Sequence, residues 1–127
     1  MVVLISTILL FVWVVFSDMC INELIRQVPI ANSGKRVVIF ERDCGATTGF
    51  GTEVSIIDRD ESLGSSAGNI FIADTNHGKA PSSNSGGPIV QIKVISEKKI
   101  KIFYDKRARV FKKEPQFDGI AIEYGYF

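Results

Sequence analysis

The chain has 127 residues, and its 15 lysine and arginine residues nearly balance its 14 aspartate and glutamate residues. A formal net charge of +1 provides no global positive field, so the composition excludes a protein that binds nucleic acid mainly through its charge. Without the apolar N-terminus about 110 residues remain, enough for one domain with a single modest core. We therefore expect no nucleic-acid partner and no second globular domain.

An almost wholly apolar run begins at Met1 and ends at Phe16. A signal-peptide core has about 7 to 15 apolar residues and a membrane-spanning helix about 20, so the run fits a signal peptide or a membrane anchor. Ser17 is a small residue at a position that signal peptidase reads. We predict one N-terminal hydrophobic helix, with residues 1–17 as a signal peptide or membrane anchor and residues 18–127 as a single β domain.

The residues that flank the run leave the membrane orientation open. No basic residue precedes the run, whereas Arg26, Lys35 and Arg36 follow it and favour a cytoplasmic C-terminal part. The cysteines and the family resemblance described below favour export. We expect a location in the cell envelope, either anchored to the cytoplasmic membrane through residues 1–16 and facing outward or secreted into the periplasm.

Beyond the run, short segments with the alternation of a β-strand are separated by turn residues. The segments are residues 21–28, 36–40, 52–56, 70–72, 90–94, 100–104, 107–111 and 119–126. The first of them fits a strand or a short helix. The pattern predicts an all-β fold, an antiparallel meander of roughly seven or eight strands that forms a small sandwich or open barrel.

Alternation also predicts which side chains form the core, because every second residue of a strand points to the same face. The predicted core residues are Val38, Phe40, Val54, Ile56, Ile72, Ile92, Val94, Ile100, Ile102 and Ile122. Residues 90–94 and 100–104 flank a turn at Ser96-Glu97-Lys98 and therefore predict a β-hairpin.

One string imitates a catalytic motif. Ser85, followed by two glycines and a proline, is similar to the nucleophile loop of chymotrypsin-like proteases. That mechanism needs a histidine far upstream on a two-barrel scaffold, and the sole histidine, His77, stands eight residues before Ser85.

Residues 58–64 start like a calcium-binding loop, but Asn69 stands where the bidentate glutamate belongs. We expect no metal and no cofactor.

The two cysteines have alternative roles. Cys20 follows the apolar run and Cys44 lies in a turn after a predicted strand, so in an oxidising compartment they form a candidate structural disulfide. In a reducing compartment they are two partly buried thiols. A third alternative is a Cys44–His77 nucleophile pair.

The string ERDCGATTGF at residues 41–50 resembles a family of small uncharacterised bacterial envelope proteins. The segment GNIFIAD at residues 68–74 and the segments at residues 102–105 and 108–111 also resemble this family. The resemblance covers nearly the whole chain and implies an N-terminal hydrophobic segment before a cysteine. It implies no activity and no catalytic residue.

The same string contains the residues we select as candidate contacts with a ligand or partner: Arg42, Asp43, Thr47, Thr48 and Phe50. In one interpretation Asp43 and the threonines satisfy backbone donors of a tight turn, and Arg42 pairs with a carboxylate. In the other, Arg42 and the threonine hydroxyls bind a polar or anionic ligand while Phe50 supplies an apolar contact.

Basic residues are concentrated in the C-terminal part of the chain. They are Lys93, Lys98, Lys99, Lys101, Lys106, Arg107, Arg109, Lys112 and Lys113. They are interpreted as solvated strand faces or as a basic hairpin that faces anionic lipid headgroups.

Two classes of function follow from these observations. The preferred hypothesis is a non-enzymatic, membrane-tethered or exported envelope protein that binds a partner protein or a cell-wall component, because the sequence assembles no acid–base or metal constellation. The alternative is a small hydrolase or transferase with a site near Arg42 to Phe50 and His77. The exposure and neighbours of His77 discriminate between the two.

Overall fold

The computed structural model describes residues 20–45 and 51–127, and within these ranges every regular element is a β-strand. The strands are β1 (Ile21–Ile30), β2 (Lys35–Asp43), β3 (Gly51–Asp58), β4 (Phe71–Asp74), β5 (Val90–Ser96), β6 (Lys99–Tyr104), β7 (Arg109–Lys113), β8 (Gln116–Phe117) and β9 (Ile120–Tyr126). The predicted all-β fold is confirmed, and the ambiguous first segment is a strand. The predicted N-terminal helix lies outside the described residues.

The strands form two sheets. One has five strands in the order β1-β2-β3-β4-β7, and the other has four in the order β5-β6-β9-β8. All neighbouring strands are antiparallel except β6 and β9, which pair in parallel. The expected meander holds from β1 to β4 and for the β5–β6 hairpin. It is wrong for β7 and β9, because alternation determines which face of a strand is apolar but not which strand lies beside it.

The main core lies between the two sheets. Its buried members from the five-stranded sheet include Val37, Ile39, Val54 and Ile56, and those from the four-stranded sheet include Ile92, Ile100, Ile102, Tyr104 and Ile122. Of the ten predicted core residues, eight are buried, six of them in this core and two, Val38 and Phe40, on the outer face of the five-stranded sheet, while Ile72 and Val94 are half-buried. Two apolar sheet faces packed together make the domain a β-sandwich.

A second, smaller core lies on the outer face of the five-stranded sheet. Val38, Phe40 and Ile57 pack there against Leu63, which belongs to the segment of residues 59–69. Because this segment covers the sheet, β2 and β3 are buried on both faces, and the carboxylate-bearing Glu53 is only 5% exposed.

The two ends of the sandwich are held differently. At one end Lys35 Nζ lies 2.8 Å from a carboxylate oxygen of Asp58 and 2.8 Å from one of Asp118, which joins the start of β2 to the turn after β8. The hydrogen bonds with Asp118 and Asp58 raise the pKa of Lys35 above its ordinary value. At the opposite end β2 finishes at Asp43, and the chain continues through Cys44 into the segment that carries the candidate site.

Candidate functional site

Cys20 and Cys44 are joined by a disulfide, with their Cα atoms 3.9 Å apart. Ile21 pairs with Asp43 in the β1–β2 register, so the two cysteines are the next opposed positions of the same hairpin. The bridge therefore closes the open end of the hairpin. Structural disulfides are typical of oxidising, extracytoplasmic compartments. Of the alternatives for the cysteines, the disulfide is the one that forms, and Cys44 has no free thiolate to act with His77.

Arg42 connects β2 with the segment that covers the outer face of the sheet. Its Nη1 donates hydrogen bonds to the carbonyl oxygen of Ser65 and, over 3.2 Å, to Oδ1 of Asn22. Asn22 Nδ2 in turn donates to the carbonyl oxygens of Gly64 (3.2 Å) and Ser66 (2.7 Å). Arg42 and Asn22 thus hold residues 64–66 against the sheet.

Asp43 shapes the chain immediately after β2. Its Oδ1 accepts a hydrogen bond from the Gly45 backbone N over 3.0 Å, the contact expected of aspartate in a tight turn. Gly45 has a φ of 122°, a conformation that side chains rarely adopt. The other three candidate residues, Thr47, Thr48 and Phe50, lie outside the described residues.

A groove of about 310 Å³ lies beside Arg42 on the outer face of the sheet. Its described lining consists of Arg42, Cys44, Gly51, Glu53, Ile72, Ala73, Asp74 and Phe111. Phe111 is 62% exposed and presents a large apolar side chain at the groove. The groove therefore combines apolar side chains with the guanidinium of Arg42 and the carboxylates of Glu53 and Asp74, as ligand and peptide sites commonly do.

The charged groups around the groove are positioned by specific contacts. Glu53 Oε1 accepts a hydrogen bond from Gly68 N over 2.7 Å. Arg109 donates to both carboxylate oxygens of Asp74, and its Cζ lies 5.1 Å from the centre of the Phe111 ring. Burial raises the pKa of Asp74, but hydrogen bonds from Arg109 and from the Asn76 backbone outweigh burial and leave that pKa below its ordinary value.

The protease-like loop has a structural role at this end of the sandwich. Thr52 Oγ1 donates to the carbonyl oxygen of Pro88 over 2.7 Å, and a Cβ on Gly87 would lie 2.4 Å from that Oγ1. Gly87 therefore lets the loop approach β3 closely. The Ser85 hydroxyl lies 3.1 Å from the hydroxyl of Ser83.

His77 is exposed in the turn that follows β4. Its φ of 58° is left-handed, and the turn is held by hydrogen bonds from Asn76 N to Asp74 Oδ1 (2.8 Å) and from Ala80 N to the Thr75 carbonyl oxygen (3.0 Å). Within the described ranges no group of three or more histidine, cysteine, aspartate or glutamate residues is arranged to hold a metal ion.

The basic residues, treated as one cluster in the sequence, occupy separate places. Arg107 pairs with Asp105, Lys112 Nζ donates to the Gly68 carbonyl oxygen, and Lys113 Nζ lies 4.8 Å from the centre of the Tyr124 ring. Three lysines on β5 and β6 share the outer face of the four-stranded sheet instead. In the sequence, the alternation of side chains along β5 and β6 was the signal that could have separated these three lysines from the other basic residues.

No protein-family model, curated protein or solved structure matches the chain. The resemblance to bacterial envelope proteins therefore rests on the residue strings quoted above. The described residues also contain no helix whose length and apolar character would allow it to cross a membrane. Residues 1–16, for which we predict a signal peptide or an anchor, lie outside those residues.

Proposed function

We propose that this chain is a non-enzymatic envelope protein, a β-sandwich that is exported and either tethered through residues 1–16 or released into the periplasm, where it binds a partner protein or a cell-wall component. The single observation that carries the proposal is the Cys20–Cys44 disulfide. Cys20 lies four residues after the end of the apolar run, so the feature typical of an oxidising compartment and the segment typical of export occur close together.

Binding is proposed at the groove beside Arg42. Its apolar surface is open at Phe111, and hydrogen-bonded carboxylates and guanidiniums hold fixed positions around it. We assign Arg42 and Asp43 to shaping this end of the sandwich, and Thr47, Thr48 and Phe50 to contact with the partner. An apolar surface rimmed by fixed polar groups suits a protein segment or a glycan better than a freely diffusing ion.

The alternative, a small hydrolase or transferase with a site near Arg42 to Phe50 and His77, gains no support from the contacts of the described residues. Cys44 is disulfide-bonded and His77 is exposed. Such an enzyme would need a nucleophile and a base within hydrogen-bond reach of each other.

The location is tested by fusing a phosphatase that is active only outside the cytoplasm to the C-terminus of the full chain. Activity of the fusion, together with protection of both cysteines from alkylation in intact cells, is expected. A phosphatase-negative fusion with two alkylated cysteines would contradict export.

The binding site is tested by crosslinking in intact envelopes with the Phe111→Ser variant. Phe111 lines the groove. Ile21 on β1 is comparably exposed but does not line the groove, because it pairs with Asp43 and alternation places both on the opposite face of the sheet from Arg42, so Ile21→Ser is the matched control. We expect crosslinked partners of the original chain to disappear in Phe111→Ser and to remain in Ile21→Ser, with both variants folded. Unchanged crosslinks in Phe111→Ser would exclude the groove as the binding site.

A further inference from the structure

The outer face of the four-stranded sheet carries three lysines and an aromatic ring. Lys93, Lys99, Lys101 and Phe103 alternate with core residues on β5 and β6, so their side chains leave the sheet on the side away from the sandwich core. Lys93 lies directly opposite Lys101 in the β5–β6 register. We call these four residues the lysine face.

The positive charge of this face is only partly neutralised. Lys99 Nζ lies 2.9 Å from a carboxylate oxygen of Glu123 on β9. Lys93 and Lys101 have no carboxylate within ion-pair distance among the described residues. Glu123 also lies opposite Lys101 in the β6–β9 register, but one carboxylate does not neutralise three lysines. Like charges directly opposite each other on a sheet are destabilising, so an anion outside the domain would relieve the repulsion between Lys93 and Lys101.

Phe103 and Gly125 give the face a flat centre. Lys101 Nζ lies 5.0 Å from the centre of the Phe103 ring. Gly125 is opposite Phe103 in the parallel β6–β9 register, and a Cβ there would lie 3.2 Å from two ring carbons and 3.0 Å from Lys101 Cε. The glycine therefore leaves room for the ring and the lysine stem to lie over β9.

Exposed apolar side chains lie at both ends of the strands that carry the lysines. Ile95, in the bulge of β5, is 47% exposed, and Phe127, which alternation places on the same face as Gly125, is 59% exposed. Ile89, just before β5, is 40% exposed. Lysines with neighbouring exposed apolar residues are the composition that binds at the boundary between lipid headgroups and acyl chains.

We propose that the lysine face docks on a bilayer surface that contains anionic phospholipids. Lys93 and Lys101 contact headgroup phosphates, while Phe127 and Ile95 enter the boundary below them. An anionic polymer in water would be bound by the lysines but would give the apolar residues no new environment, so the lipid surface accounts for both sets. This proposal concerns a different surface from the groove. It rests on the proposed function only in that an envelope location brings the protein close to a bilayer.

The test uses the full chain, held in nanodiscs of phosphatidylcholine, with phosphatidylglycerol vesicles added. Co-sedimentation of the nanodiscs with these vesicles, and not with phosphatidylcholine vesicles, is expected. A lysine near an anionic surface contributes about a five-fold factor to binding, so Lys93→Glu/Lys101→Glu should weaken co-sedimentation by about 30-fold or more. Lys79→Glu/Lys106→Glu changes the net charge equally at exposed turn positions and is the control, with an expected loss of less than about three-fold.

A second variant distinguishes lipid from polymer. Phe127→Ser should weaken binding to phosphatidylglycerol vesicles and leave binding to long-chain polyphosphate unchanged. The proposal is overturned if both double variants lose binding equally, or if Phe127→Ser has no effect while polyphosphate displaces the vesicles. All of these experiments measure vesicle binding in vitro. A failure of the lipid proposal is therefore distinct from a failure of export, which the phosphatase fusion reports.

Discussion

The side-chain amide of Asn69 forms two hydrogen bonds with the main chain of Ile56. Ile56 N donates to Asn69 Oδ1 over 2.9 Å, and Asn69 Nδ2 donates to the Ile56 carbonyl oxygen over 2.8 Å. These are the two bonds that a residue of a neighbouring strand would make. Asn69 thereby satisfies the backbone N–H and carbonyl groups of Ile56, which lies on β3 beyond the last residue that pairs with β4.

Replacing Asn69 by alanine should destabilise the domain by about 2–4 kcal/mol. Two hydrogen bonds are lost, each with a net contribution of about 1 kcal/mol, and the polar groups of the buried Ile56 backbone are left without partners. Urea unfolding followed by circular dichroism measures the change. Asn84→Ala, at an exposed loop position, is the control and should change the stability by less than about 0.5 kcal/mol.

The Cys20–Cys44 disulfide should contribute about 3.5 kcal/mol to stability. The sequence separation is 24 residues, and closing a loop of this size restricts the unfolded chain by about that amount in the chain-entropy model. The double variant Cys20→Ala/Cys44→Ala should therefore unfold at a lower urea concentration than the oxidised protein. Reducing the original protein should produce the same shift, and a reduced protein as stable as the oxidised one would refute the assignment.

Gly87→Ala should loosen the loop before β5. The added Cβ would lie 2.4 Å from Thr52 Oγ1 and 3.0 Å from Thr52 N, and the second of these contacts is with backbone that cannot rotate away. Overpacking of this kind costs about 1–3 kcal/mol. Thermal unfolding checks the value, and Gly78→Ala, where φ is 83° but nothing lies within 4 Å, separates backbone strain from crowding.

Acid should weaken the turn between β6 and β7. Arg107 donates from Nε and Nη2 to the two carboxylate oxygens of Asp105, and these hydrogen bonds lower the Asp105 pKa to about 2 from 3.8. A carboxyl group whose pKa is lower in the folded state stabilises the fold above its unfolded pKa, and this contribution is lost as pH falls from 3.8 to about 2.

The measurement compares urea unfolding of the original protein with that of Asp105→Asn across this pH range. The stability of the original protein should fall more steeply as pH decreases, since the variant has no carboxyl group to protonate at this position. Asp60→Asn, in the exposed turn after β3, serves as the control and should follow the original protein. Identical slopes for the original protein and Asp105→Asn would contradict the prediction.

Much of the strand content could be predicted from alternation. Thr52, Val54 and Ile56 share one face of β3, and the hairpin formed by β5 and β6 has the predicted partners and turn. What alternation did not predict is burial on both faces of β2. The unbroken apolar sequence of Val37, Val38, Ile39 and Phe40 was the available signal, because short continuous apolar runs are typical of fully buried strands.

The candidate site was less accessible from sequence. Asp43 closes a turn as one interpretation expected, but the partners of Arg42 are the carbonyl oxygen of Ser65 and the side chain of Asn22, which lie 23 and 20 residues away in the chain. Contacts of such separation depend on how the segment of residues 59–69 folds back over the sheet. Local pattern carries no information about them.

The parallel pairing of β6 with β9 has a consequence for the order of folding. β9 is the last strand along the chain, and it lies inside its sheet between β6 and β8. Until β9 is available to pair, the edge of β6 in the β5–β6 hairpin has no partner strand. The sheet layer that contains the core residues Ile100 and Ile102 is then incomplete. Closing this non-local pairing is entropically slow compared with forming the β1–β2 hairpin. In the export that we propose, a polypeptide passing through a translocation channel from its N-terminus would thus complete its second sheet only after β9 had passed.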